Sequence, residues 1–271
     1  MKTIGCIGVG NMGGAILTAV CRALPEETIL ICDKDSAKTA DFAEKLHCRP
    51  VDSRTLAKEA DYIFLGIKPQ FMKSVLEEIK DILADRFAAG NAPTCISMAA
   101  GLTTDTIRDM IGVKLPVIRI MPNVPVAVGQ GMIMYTCTDN VTGESRGDFL
   151  RMLSCAGKLD ELPEALIDAG TAVSGCGPAF LCLILEAMAD GGVSCGMPRQ
   201  KALAYAAQTM LGTAMLALET GKHPGVIKDE VTSPAGSTIA GVQVMEEDGV
   251  RGAMMDAVIA AYEKNLALKK Q

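Results

Sequence analysis

Residues 4–13 read I-G-C-I-G-V-G-N-M-G, and the apolar run 15–20 follows almost at once. A short apolar strand passes into Gly8-x-Gly10-x-x-Gly13 and then into a helix, the setting in which this glycine spacing holds a dinucleotide. Gly8 permits the tight turn. Gly10 lets the backbone approach a pyrophosphate, and Gly13 lets helix and strand pack closely. The helix start offers unpaired N–H groups and the positive end of its dipole to the phosphates. A merely structural glycine-rich turn is the competing reading, and the flanking strand and helix weigh against it.

Beyond this motif the first half alternates strand and helix. Strands are expected at 28–32, 61–67, 94–98, 117–121 and 131–136. Helices are expected at 36–46, from Pro69 to about 83, and at 144–154. This β-α-β alternation predicts a parallel sheet with helices on both faces. After about residue 163 the pattern becomes helical throughout, at 164–172, 178–193, 199–219, 225–230, 237–247 and 250–269, punctuated by Gly and Pro. The expected fold is an α/β Rossmann-type domain, residues 1–162, followed by an all-α domain, residues 163–271. The helix at 199–219 is apolar on nearly every side, which marks a buried helix. In so small a helical domain, a second subunit is the expected burial partner.

The bulk numbers agree. A chain of 271 residues suffices for two domains of roughly 100–200 residues. It is 49% hydrophobic with mean hydropathy +0.27, yet only 4% aromatic and without Trp, so its core must use Ala, Leu, Ile, Val and Met. A net charge of −6 argues against a nucleic-acid partner, and Lys269-Lys270 is the one basic run. The apolar run 179–185 is stopped by Glu186 and is too short to span a bilayer. A cytoplasmic protein without a membrane partner is expected. The ten cysteines include no C-x-x-C pair, and Cys6, Cys95 and Cys182 sit in apolar runs, which predicts buried, reduced thiols. No metal site is expected.

Several strand ends carry candidate chemistry. Asp33 stands twenty residues after Gly13, where a carboxylate would bind the adenosine ribose of NAD. Lys34 beside it could admit the 2′-phosphate of NADP. Alternatively Asp33 caps the next helix, although Asp35 or Ser36 suits that role better. Lys68 lies at a strand exit facing the crevice, or is simply solvated, and Pro69 keeps it extended. In Ser97-Met98-Ala99-Ala100-Gly101 the small residues let a flat nicotinamide lie against the backbone. Arg119 is either catalytic or a structural tie.

In the helical half, Ser174-Gly175-Cys176-Gly177-Pro178-Ala179 opens a long apolar helix. Residues 231–238, V-T-S-P-A-G-S-T, run through small and hydroxyl residues into a helix start. Free N–H groups beside Ser and Thr hydroxyls make a carboxylate-binding nest, against the plainer reading of an ordinary capped helix. The two histidines, His47 and His223, do not suit an acid–base pair, and both read as structural.

Taken in order, G-V-G-N-M-G, I-K-P-Q, S-M-A-A-G, R-I-M-P-N-V-P, S-G-C-G-P-A and K-D-E-V-T-S-P-A-G-S-T resemble pyrroline-5-carboxylate reductase over essentially the whole chain. That resemblance implies reduction of a cyclic imine to L-proline by NADPH, with NADH as the alternative cofactor. It implies a homodimer through the C-terminal helices, and a larger ring of dimers. Its cofactor contacts would fall on Val9, Asn11, Met12, Asp33, Ser53, Ile67, Lys68 and Ala100. Its substrate contacts would fall on Glu164, Glu230, Ser237 and Thr238. The N–H groups around Gly236 would hold the carboxylate, and Thr238 would hydrogen-bond the ring nitrogen; that Thr238 also passes it a proton through water is our own expectation, apart from the resemblance. Val231 belongs to the same segment, and Pro69 and Ala99 flank the implied cofactor contacts.

The chain departs from the family pattern at Ala235, where the usual residue is Gly, and at Cys176, where it is Ser. It also departs at Glu230, often Asn or Gln, and at Asp33, where many members carry small polar residues. Three rival readings remain. A β-hydroxyacid dehydrogenase would carry Lys where Leu181 stands. An imine reductase would act on a related ring. A nucleotide-binding regulator without chemistry would have let the segment 231–238 decay.

Overall fold

The computed structural model describes residues 2–268. Among them eight strands form one sheet in the order β3-β2-β1-β4-β5-β6-β7-β8. The strands are β1 (Thr3–Ile7), β2 (Thr28–Cys32), β3 (Arg49–Pro50), β4 (Tyr62–Leu65), β5 (Thr94–Ser97), β6 (Val117–Met121), β7 (Gly131–Cys137) and β8 (Gly157–Glu161). The N-terminal helices are α1 (Asn11–Ala23), α2 (Ser36–Leu46), α3 (Ser53–Glu59), α4 (Pro69–Ala88), α5 (Thr104–Ile111) and α6 (Gly143–Met152).

Successive strand residues point to opposite faces, and here both faces are covered. Tyr62 and Phe64 of β4 join Ile16, Val20, Ile118 and Phe149 on one side. Ile63 and Leu65 join Leu56, Met72, Leu76 and Ile79 on the other. Burial on both faces is why these strands read as near-continuous apolar runs.

The strand order reverses between β1 and β4, which opens a crevice at their carboxyl ends. The expected all-parallel sheet needs one correction: β7 runs antiparallel to β6. Only residues 122–130, with a 3-10 turn at Val124–Val128, connect the two. That is too short for the crossover a parallel pair requires. β8 is again parallel to β7, across α6.

The chain divides by internal contacts into two units. One runs to Gly175 and regains the last helix from Tyr262; the other is Cys176–Ala261. The segment before Gly177 is composite rather than one helix. It comprises a 3-10 turn (Glu164–Leu166), α7 (Ile167–Gly170) and a π turn (Thr171–Gly175). Helices α8 (Gly177–Ser194), α9 (Arg199–Thr220), α10 (Pro224–Glu230), α11 (Ser237–Glu247) and α12 (Val250–Leu268) follow. The expected end of the last helix at residue 269, and the pair Lys269-Lys270, lie outside the described residues.

Within the helical unit α8 packs on α9, and a side chain at Gly192 would press on Ala202. Little else is covered. Helix α9 was expected to be buried against a second subunit; within one chain it buries only Ala202 and Ala206 and exposes Leu211, Met215 and Leu218. Within the composite helical stretch Glu164–Ser194 an 18-residue window reaches mean hydropathy 1.7, long and apolar enough to cross a membrane by length and composition alone. The expectation of too short a run considered residues 179–185 alone.

All ten cysteines are free thiols. Cys6 and Cys95 are buried, and burial pushes each thiol up to about 12. Cys182 was expected inside and is instead exposed on α8.

Candidate active site

The crevice is built around one carbonyl. Gly8 has φ +93°, open to glycine without strain, and a side chain there would meet the Gly66 carbonyl oxygen at 2.7 Å. A Cβ at either Gly13 or Gly66 would strike Gly8 O. The turn therefore closes only because three glycines meet. Gly66 is a site residue that the spacing motif does not contain; its strand-end position before Ile67-Lys68 is the signal that could have marked it.

Helix α1 starts at Asn11, and its cap residue, Gly10, brings no side chain. A Cβ on Gly10 would meet nothing within 4 Å. The first N–H groups of the helix, at Asn11, Met12 and Gly13, have no helical acceptors, so open space and free donors coincide as a pyrophosphate needs. Val9 differs: it is buried, and its N–H donates to Asp33 Oδ2 at 2.9 Å.

From this turn a cleft of about 690 Å³ runs past Asp33, Lys34 and Lys38 to Ser53, Ile67, Lys68 and Phe71. Asp33 Oδ1 also accepts the Asp35 N–H at 3.0 Å. Asp33 therefore braces the loop, while Asp35 caps α2 through the Ala37 N–H. The Lys34 ammonium stands 5.0 Å from the centre of the Phe71 ring, within cation–π range. Phe71 escaped the sequence reading; an aromatic one turn after Lys68 at a helix start was the available signal. Ser53 opens α3, which Asp52 caps through the Thr55 N–H and hydroxyl. Lys68 is extended, with ψ 146°, and Pro69 begins α4, as a residue before proline should behave. Ala99 is buried in the core and Ala100 is exposed.

Arg119 lies in the middle of β6 and is 1% exposed. It pairs with Glu164 at 3.1 Å and with Asp168 at 3.8 Å. Glu164 also accepts the Thr104 N–H at 2.9 Å and the Thr104 hydroxyl at 3.0 Å. Asn123, four residues on, donates to Ser174 O and accepts the Met132 N–H, both at 2.9 Å. Arg119 is therefore a structural tie.

In the helical unit, Ser233-Pro234-Ala235-Gly236 forms a turn closed by Gly236 N–H to Ser233 O at 3.1 Å. Ala235 sits at φ +54°, in the left-handed region where glycine is the usual occupant. Gly236 caps α11 without a side chain. Ser237 and Thr238 begin the helix, exposed, with their N–H groups lacking helical acceptors. Val231 is exposed, and Glu230 pairs with Lys222 at 2.5 Å. His223 caps α10 by accepting the Gly225 N–H, a structural role, and His47 ends α2. Among the described residues no three His, Cys, Asp or Glu side chains converge as a metal site.

Sequence relatives agree from end to end. The pyrroline-5-carboxylate reductase of Methanosarcina acetivorans is 40% identical, with 100% of this chain and 99% of that protein aligned. That of Escherichia coli is 38% identical over 99% of each. The chain belongs to the pyrroline-5-carboxylate reductase family. A family profile for pyrroline-5-carboxylate reductase dimerisation matches residues 164–268, and one for coenzyme F420-dependent NADP oxidoreductases matches 3–88. The crystal structure of the Plasmodium falciparum pyrroline carboxylate reductase, with NADP bound, superposes with a TM-score of 0.86 at 27% identity, covering 99% of this chain and 98% of that one. The helical half is accordingly a dimerisation domain, and the uncovered apolar faces of α8 and α9 fall inside it.

Proposed function

We propose that the chain reduces 1-pyrroline-5-carboxylate to L-proline, the last step of proline synthesis, with NADPH as reductant and NADH also accepted. Membership of an NAD(P)H-dependent reductase family stands behind this reading. The observation that carries it is that each unit holds one helix start capped by glycine without a side chain, α1 at Gly10 and α11 at Gly236. By contrast α2, α3, α5, α6 and α10 are capped by side chains, and α4, α8 and α9, also without a side-chain cap, follow Lys68, Cys176 and Pro198 rather than glycine. One open start suits a pyrophosphate and the other a carboxylate.

In this assignment Gly8, Gly10, Asn11, Met12 and Gly13 cradle the pyrophosphate, with Val9 as the buried hinge beneath them. Asp33, Lys34 and Ser53 meet the adenosine ribose. Ile67, Lys68 and Pro69 line the middle of the crevice, and Ala99 and Ala100 take the nicotinamide end. When bound, the reduced nicotinamide supplies the hydride. The N–H groups of Ser237 and Thr238, left open behind the Gly236 cap, hold the imino acid's carboxylate, with Val231, Glu230 and Glu164 completing the substrate surroundings. The Thr238 hydroxyl orients the ring nitrogen and relays a proton to it through water. A protonated imine is already electrophilic, so no strong acid is needed beside it, in keeping with the scarcity of His. Orientation alone can supply up to about 7–11 kcal/mol of such a barrier.

The same reading divides the chain at residue 162/163, places it in the cytoplasm and assembles its dimers into a larger ring. The test is loss of nicotinamide absorbance on adding pyrroline-5-carboxylate, with proline identified as product, run with each cofactor. NADPH is expected to be used faster, and Asp33→Ser to raise that preference. An unchanged ratio would leave Asp33 a loop brace only. No oxidation with either cofactor would refute the reaction.

A further inference from the structure

Glu164 is the first residue of the segment matched to the dimerisation profile, yet its carboxylate is committed to the sheet unit. Oε1 accepts both the Thr104 N–H and Arg119 Nη1, and Oε2 accepts the Thr104 hydroxyl. Three of its roughly four lone-pair positions are filled. Thr104 begins α5. The turn 98–103 just before it contains Ala99 and Ala100, and it leaves β5 at Ser97, which pairs in register with Arg119. Arg119 is thus attached to both ends of this turn: through the strand pair at one end, and through Glu164 and Thr104 at the other.

We infer that Glu164 is a positioning residue that acts on the nicotinamide. Together with Arg119 it fixes Thr104, and through Thr104 the turn on which the nicotinamide end of the cofactor rests. This inference builds on the proposed function and changes one of its assignments, because Glu164 then serves the cofactor rather than the imino acid. Buried Arg119 supports it. Its Nε and Nη2 lack hydrogen-bond partners among the described residues, so Glu164 supplies its directed hydrogen bond. A buried cation held this way keeps its anchor in one place.

The experiment compares Glu164→Ala with Thr104→Val, which leaves the Arg119 ion pair intact should the first variant lose its fold. Dissociation constants are measured for NADPH and for 2′-phospho-ADP-ribose, which lacks the nicotinamide. The KM for pyrroline-5-carboxylate is measured at saturating NADPH. NADPH binding is expected to weaken by about tenfold, the scale of one charge-assisted hydrogen bond. The fragment should bind unchanged, and the imino-acid KM should stay within about twofold. A raised imino-acid KM with unchanged NADPH binding would return Glu164 to the substrate. Equal weakening of NADPH and the fragment would reduce the cluster to a general structural tie. A wild-type protein that binds NADPH and leaves the imino acid unreduced would refute the proposed reaction while leaving the nicotinamide test standing.

Discussion

The sheet unit and the helical unit solve burial differently. In the first, Ile4, Phe64, Leu65, Met72 and Phe149 are at most 1% exposed, and helices cover both faces of the sheet. In the second, Leu183 is 68% exposed, Tyr205 61% and Leu218 75%. Apolar helices with this much bare surface form a core only when another surface closes on them. The sheet unit has a covered core within one chain, whereas the turn 233–238 belongs to a half matched to a dimerisation domain, whose bare apolar surface a second chain would cover.

The comparison is most severely tested by charging the bare face. If the exposed face of α8 is the proposed subunit interface, Leu183→Glu places an unpaired carboxylate there, which costs several kcal/mol. Sedimentation should find monomers that still bind NADPH but no longer turn over. A dimer that survives the change would remove α8 from the interface.

A smaller effect is expected within the substrate turn. Thr238→Ala should lower turnover by roughly 10–100-fold, the loss of one hydrogen bond to a charged group. Nucleotide affinity should be unchanged, because the donors proposed for the pyrophosphate lie in the sheet unit. Normal turnover would remove Thr238 from the mechanism.

The two glycine-rich turns sharpen the contrast further. Gly8 meets its positive φ with glycine, while Ala235 meets its own with alanine. A left-handed alanine costs about 1–2 kcal/mol, partly offset by the roughly 0.5–1 kcal/mol that glycine loses in ordering. Ala235→Gly should therefore raise the melting temperature by about 1–3 °C. A fall would mean that the turn differs from the one described.

The mildest prediction concerns the sheet core. Burial pushes the Asp148 carboxyl up, but the Tyr62 hydroxyl at 2.6 Å, with Arg151 and Lys2, outweighs it and holds the group below its ordinary value. A lowered folded value adds stability above the unfolded value of about 3.9, lost as pH falls through the folded one. Asp148→Asn should flatten the acid limb of the stability–pH curve. An unchanged limb would mean that this pair adds nothing.

Strong periodicity made most elements legible. The helices at 36–46 and 237–247 fall where expected because Asp35 and Gly236 mark their starts and the apolar spacing runs unbroken. Other elements carried little signal. β8 reads G-K-L-D-E, an exposed strand with a single apolar side chain, and β3 has two residues. In α5 only Ile107, Met110 and Ile111 are apolar, too few to show a period. The antiparallel β7 was hidden because strand direction depends on the connection, not on the strand. At the candidate site the fingerprint, Lys68-Pro69 and the Gly236 helix start could be read directly. The Arg119–Glu164–Thr104 cluster could not, since it joins three segments remote in sequence. The exposure of α8 and α9 was foreseen only as a need for a partner.

In the proposed reaction the helix start at 236–238 holds the carboxylate of a cyclic imino acid. A crystal structure of the dimer with NADP⁺ and L-proline tests it most directly. The proline carboxylate should accept the Ser237 and Thr238 N–H groups, with the Thr238 hydroxyl at the ring nitrogen. A carboxylate bound elsewhere, with that helix start left to solvent, would contradict the account.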